Sequence, residues 1–104
     1  MHKETKFTKI TGDVKNEVWQ RDKQKCIICG QWLPVNFANS HVIKRSQGGM
    51  GIKENIVCHC LDCHAKYDAG DKLVKEKTLE YIKTIYENWI PERVVYKKYG
   101  KNKY

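Results

Sequence analysis

The chain has 104 residues, with 20 Lys and Arg against 12 Asp and Glu, a net charge of +8, and 40% hydrophobic residues. That length predicts one domain over 1–104 with a modest core. No stretch is apolar enough for a membrane span, nor Met1–Lys6 for a signal peptide. The basic excess favours a polyanionic partner, because cationic side chains displace the counterions of phosphate backbones.

Residues 1–10 are basic and aperiodic, and read as a loose arm. Val14, Val18 and Trp19 then fall at helical spacing, which predicts a helix from Asp13, as N-cap, to Asp22. Cys26-Ile-Ile-Cys29-Gly30 follows, a knuckle with glycine where positive φ is often needed. Trp32, Leu33, Val35 and Phe37 predict an extended stretch broken by Pro34. His41–Lys44 and Ile56–His59 read as two strands of a hairpin. The connection between them is long, and Gly48, Gly49 and Gly51 make it a flexible loop. Leu61–Ala69 reads as a helix stopped by Gly70, carrying Cys63, His64 and Asp68 on its surface. Leu79, Ile82, Ile85, Tyr86 and Trp89 predict an amphipathic helix over Lys75–Asn88, ended by Pro91. Val94–Tyr96 reads as a short strand or extended tail, and the basic, aromatic segment beyond it could touch nucleic acid.

Cys26-x-x-Cys29 and Cys60-x-x-Cys63 are the strongest signal in the chain. Paired knuckles of this kind close four thiolates around one structural zinc ion. A metal staple supplies folding free energy that a small core lacks. With no signal peptide, the thiols are expected to be reduced and cytoplasmic, so metal is preferred to disulfides. The fifth cysteine, Cys58, reads as a buried thiol on a strand and competes for the ligand assignment.

His41-Val-Ile with Gly48-Gly49, Glu54-Asn55-Ile-Val and Cys60-Leu-Asp-Cys63-His64 occur in that order downstream of Arg21-Asp22 and the first knuckle. From about Val14 to Asp68 the chain resembles the HNH endonuclease family. The resemblance implies a ββα-metal core: a hairpin and a helix around one ion, here in a small zinc-stabilised α+β fold with flanking N- and C-terminal helices. It also implies hydrolysis of DNA with Mg²⁺, Mn²⁺ or Ni²⁺, and a phage origin with an unspecified phage or host partner.

On that resemblance His41 is the general base and Asn55 the residue that ties the loop to the strand and fixes the imidazole. His64 becomes a ligand of the catalytic ion. Asp68 stands one turn later on the same helix face, so the two can share a cation. The family usually has Asp or His just before the base, whereas this chain has Ser40, a weak ligand at best, for which Asp68 compensates. Lys44, Arg45 and Lys53 flank the glycine loop as phosphate contacts. His59 reads as a surface residue that could touch DNA or compete for metal. Two other functions compete with the nuclease. One is a non-catalytic zinc module that binds nucleic acid, with Ser40 marking a degraded site. The other is a structural zinc domain for protein contacts.

Overall fold

The structure, a computed structural model, describes residues 7–96. Helix α1 spans Gly12–Arg21. Its cap is Thr11, not Asp13: the Thr11 hydroxyl accepts from the Val14 amide at 3.2 Å. Asp13 instead sits in the first turn, where its charge faces the unpaired amides. Val18 is buried, and the Trp19 indole donates to the Leu33 carbonyl at 2.7 Å.

The end of α1 is tied to the rest of the chain by charge. The Asp22 carboxylate, fully buried, pairs with Arg21 at 2.7 Å. It also accepts from the Cys58 amide at 2.9 Å and the Tyr81 hydroxyl at 2.5 Å. Arg21 in turn donates to the carbonyls of Lys53 and Ile56, both at 2.7 Å. A buried carboxylate is tolerated only with such partners.

Strand β1 (Ser40–His41) pairs antiparallel with β2 (Ile56–Val57), Ser40 opposite Val57 and His41 opposite Ile56. The predicted hairpin exists, but its strands are shorter than expected. Beyond His41 the Asn55 side chain replaces the ladder: its Oδ1 accepts from the Ile43 amide at 2.8 Å and its Nδ2 donates to the Ile43 carbonyl at 3.1 Å. Beyond Val57 the chain turns to the first knuckle, where the Ile27 amide donates to the Cys58 carbonyl at 3.1 Å. The stretch predicted to extend over Trp32–Phe37 forms only one bridge, Lys25 to Trp32, and then winds into a 3₁₀ turn at Val35–Phe37. Pro34 has no amide hydrogen to continue a ladder.

The hairpin connection, residues 42–55, is not a loose loop. It contains 3₁₀ turns at Arg45–Gln47 and Lys53–Asn55. The C-terminal segment clamps it, with Met50 donating to Val94 and Tyr96 to Gly48, both at 2.8 Å. Its glycines serve close approach: a Cβ at Gly49 would lie 1.7 Å from the Ile43 carbonyl oxygen. The N-terminal arm is docked from Phe7 onward. Thr8 is buried, the Phe7 carbonyl accepts from Gly51 at 3.0 Å, and the Phe7 ring stacks on Tyr96 at 4.4 Å. The expectations for 1–6 and for the basic tail, 97–104, lie outside the described residues.

Helix α2 spans Leu61–Asp68 and α3 Lys72–Ile85. Gly70, at φ 84°, turns the chain between them. Helix α3 starts earlier than its apolar pattern predicts, because Asp71 caps it by accepting from the Val74 amide at 3.0 Å. It stops at Ile85. Trp89, predicted on its face, instead follows a positive-φ Asn88, is buried, and donates to the Glu54 carbonyl at 2.6 Å.

Two apolar clusters result. One joins Val18, Leu33, Ala38 and Ile56 with four cysteines; the other joins Val42, Val57, Ile82, Trp89 and Val94. Ile56 and Val57 serve opposite clusters because successive strand side chains point to opposite faces. The result is a small α+β fold with a radius of gyration of 12.9 Å, near the roughly 13 Å expected for one compact domain. Among the described residues no helix is long and apolar enough to cross a membrane.

Candidate metal centre and adjoining cleft

Cys26, Cys29, Cys60 and Cys63 come together with their sulfurs all within 4.8 Å of one another. The first pair is presented by a turn closed by the Lys25–Trp32 bridge and by Gly30 at φ 81°. The second is presented by the start of α2, where the Cys60 sulfur caps the helix by accepting from the Cys63 amide at 3.4 Å. The Ile28 amide points at the Cys26 sulfur in the same way, at 3.4 Å. These N–H groups favour thiolates. Burial alone would raise the Cys26 pKa, but backbone donors from Cys29, Cys60 and Ile28 hold it below its usual value. The donor set fits a tetrahedral ion: sulfurs about 2.3 Å from a centre lie about 3.8 Å apart, and Cys29 and Cys60 are separated by 3.7 Å. The four cysteines are positioned to hold a metal ion.

Cys58 is not among them. It is buried beside Asp22, and burial, followed by that carboxylate, pushes its thiol up to about 12. It stays protonated, as a ligand could not.

Next to the centre lies a cleft of about 440 Å³ lined by Asn39, His41, Lys44, Arg45, Ser46, His64 and Asp68. His41 comes from β1, and its Nε2 lies 2.8 Å from the Thr8 carbonyl oxygen. A carbonyl only accepts, so Nε2 carries the hydrogen and Nδ1 keeps its lone pair. Burial lowers the His41 pKa, against the pull of that carbonyl, and the charges of Arg45 and His64 lower it further. The imidazole is therefore neutral at pH 7. From α2, His64 Nε2 and Asp68 Oδ2 approach to 3.4 Å, one turn apart as the spacing predicted. Lys44 reaches the Asp68 carbonyl at 3.3 Å and Arg45 the Thr8 hydroxyl at 3.3 Å, so two cations border the same cleft. Among the described residues, no third His, Cys, Asp or Glu joins His64 and Asp68 at ligating distance.

The structure separates other candidates from the cleft. Asn55 is fully buried and, besides bridging Ile43, donates to the Met50 carbonyl at 2.9 Å. It ties the connection to the strand and does not reach the cleft. Ser40, a weak metal ligand by its place in the motif, points away from His41 as strand alternation requires. It is fully buried, with its hydroxyl 2.7 Å from His59 Nδ1. Lys53, expected at phosphate, pairs instead with Glu17 at 3.2 Å away from the cleft. His59, expected on the surface, is fully buried, with Nε2 3.0 Å from the Thr78 hydroxyl. Burial, then the His64 charge, lowers its pKa to about 4. Two features of the site leave no mark in the sequence. One is Thr8, whose carbonyl fixes the His41 tautomer from an aperiodic arm. The other is Tyr67, whose hydroxyl donates to the Val42 carbonyl at 2.6 Å and binds α2 to the segment after His41.

Comparison of the chain with protein-family models, curated proteins and solved structures finds no match.

Proposed function

We propose that the four cysteines hold a structural zinc ion and that the cleft hydrolyses phosphodiester bonds of DNA, in the manner of the HNH endonucleases the sequence resembles. One observation carries this reading. His41, a neutral imidazole with Nε2 committed to a backbone carbonyl, shares a cleft with a one-turn His64–Asp68 pair and two cations. A carbonyl-anchored imidazole is a base of fixed orientation, and its Nδ1 can take the proton of an attacking water. Lys44 and Arg45 would bind non-bridging phosphate oxygens and set the backbone across the cleft. His64 and Asp68 would hold a divalent cation such as Mg²⁺, Mn²⁺ or Ni²⁺. When bound, such an ion neutralises charge on the phosphate and leaving oxygen.

Buried Ser40 favours a second reading, a zinc-stabilised module that binds nucleic acid without cutting it. With Ser40 committed to His59, no third His, Cys, Asp or Glu among the described residues joins His64 and Asp68 at ligating distance. Plasmid nicking by the wild-type chain and His41→Ala, with each of the three cations and with EDTA, separates the readings. Metal-dependent cleavage that His41→Ala lacks supports the nuclease. DNA binding with no cleavage under any cation supports the binding module.

A further inference from the structure

The chain has three tryptophans. Trp19 and Trp89 each give their indole N–H to a backbone carbonyl and pack into the two apolar clusters. Trp32 does neither. It is 64% exposed, although Leu33 beside it is buried. Its backbone is nevertheless fixed by the bridge to Lys25 on the first knuckle.

Trp32 stands over a shallow groove of about 620 Å³, lined also by Pro34, Phe37 and Leu61, the last 77% exposed. An apolar patch left open on a small charged protein marks a binding surface. The groove and the cationic cleft share no lining residue, but both border α2. Leu61, His64 and Asp68 fall at i, i+3 and i+7 on α2, one stripe of that helix. Phe37 on the groove lies two residues before Asn39 on the cleft.

Charge decides what fits. Lys25, opposite Trp32 in the bridge, is exposed, and Lys44 and Arg45 line the cleft that borders α2, so a polyanion lying across both is met by cations beside the groove. The groove itself has a carboxylate, Asp62, and an apolar floor, which reject phosphate and accept a flat neutral ring. We infer that Trp32 and its groove are a stacking platform for an unpaired base of a strand whose backbone runs into the His41 cleft. A base inside a duplex is already stacked on both faces, so the platform selects single strands, overhangs or bulges. The inference rests on the nucleic-acid part of the proposed function and not on cleavage.

The test uses the full chain in the His41→Ala background, so that no cleavage interferes. The probes are a fluorescein-labelled mixed-sequence single strand and the same strand annealed to its complement. Trp32→Ala should weaken single-strand binding by about 5- to 150-fold, the loss of one stacked base. Trp32→Phe should keep most of the affinity, and duplex binding should stay within about twofold. Tryptophan fluorescence should be quenched by the single strand with Trp32 present and not in Trp32→Phe. Far-UV circular dichroism and metal content should be unchanged, because the side chain is exposed. Unaltered single-strand binding by Trp32→Ala would overturn the inference and leave the groove to a protein partner. An equal loss for single strand and duplex would overturn it too. If the parent chain nicks plasmid while Trp32→Ala binds single strands normally, the platform fails and the nuclease reading stands. If the parent never cuts but Trp32-dependent binding holds, the reverse is true.

Discussion

At the scale of single residues, the proposed cleavage turns on one proton. Removing the imidazole in His41→Ala should leave fold, metal and DNA affinity in place and lower single-turnover cleavage by about 10²–10⁴-fold, the usual worth of a general base. The wild-type rate should rise with pH, since only the neutral ring accepts a proton. Burial and neighbouring cations lower the His41 pKa, so the midpoint should fall below the ordinary value of about 6.5. A midpoint above that value would speak against His41 as the base. Asn55 acts differently. Asn55→Ala would remove one partner each from the Ile43 amide, the Ile43 carbonyl and the Met50 carbonyl, and should cost about 2–4 kcal/mol in a denaturant melt. Much of the candidate site's membership is legible in the sequence alone: the four thiols by spacing, His41 by motif, His64 and Asp68 by helical period. The surroundings of Ser40, Lys53 and His59 are not. Which way each points depends on strand register and on where a two-residue strand stops, and the Asn55 side chain sets one of those ends.

At the scale of elements, the connection between the strands explains most differences from expectation. A run with Gly48, Gly49 and Gly51 suggests flexibility, yet two of these glycines are points of backbone contact. Gly49→Ala would put a Cβ 1.7 Å from the Ile43 carbonyl oxygen, and Gly51 meets Lys9 almost as closely, at 2.1 Å. Because backbone cannot yield as a side chain does, Gly49→Ala should destabilise the fold by about 1–3 kcal/mol or more. Gly12→Ala is the control. It meets nothing within 4 Å at the first position of α1 and should be neutral or stabilising by up to about 1 kcal/mol. Equal melting temperatures for the two variants would remove the account of the connection as a clamped element. No local pattern announces such a clamp, because its partners, Phe7–Lys9 and Val94–Tyr96, lie at the two ends of the described chain. The helices are easier to find than to bound, since Thr11 and Asp71 set their starts from outside the apolar repeat.

At the scale of the whole molecule, stability should depend on the metal. Three of the four clustered cysteines, Cys26, Cys60 and Cys63, form part of the wall of one of the two apolar clusters, beside Val18, Leu33 and Ile56. Without an ion, burial and then the neighbouring Cys60 and Cys26 sulfurs favour the protonated form of Cys63. The knuckle then loses the link between α1's end and α2. A chain of this size has little core in reserve, so metal removal should unfold it cooperatively and not loosen one corner. We expect one zinc per chain by elemental analysis, and loss of far-UV ellipticity when a strong chelator strips it. Cys60→Ser should abolish tight binding, since Cys60 is at once ligand and helix cap. Cys58→Ser should retain the metal while melting at lower temperature, because it places a hydroxyl in a fully buried site and replaces none of the four clustered sulfurs. Retention of zinc by Cys60→Ser with its loss in Cys58→Ser would mean that the ion sits on the other side of β2. The cleft would then have to be rebuilt around His59 instead of His64.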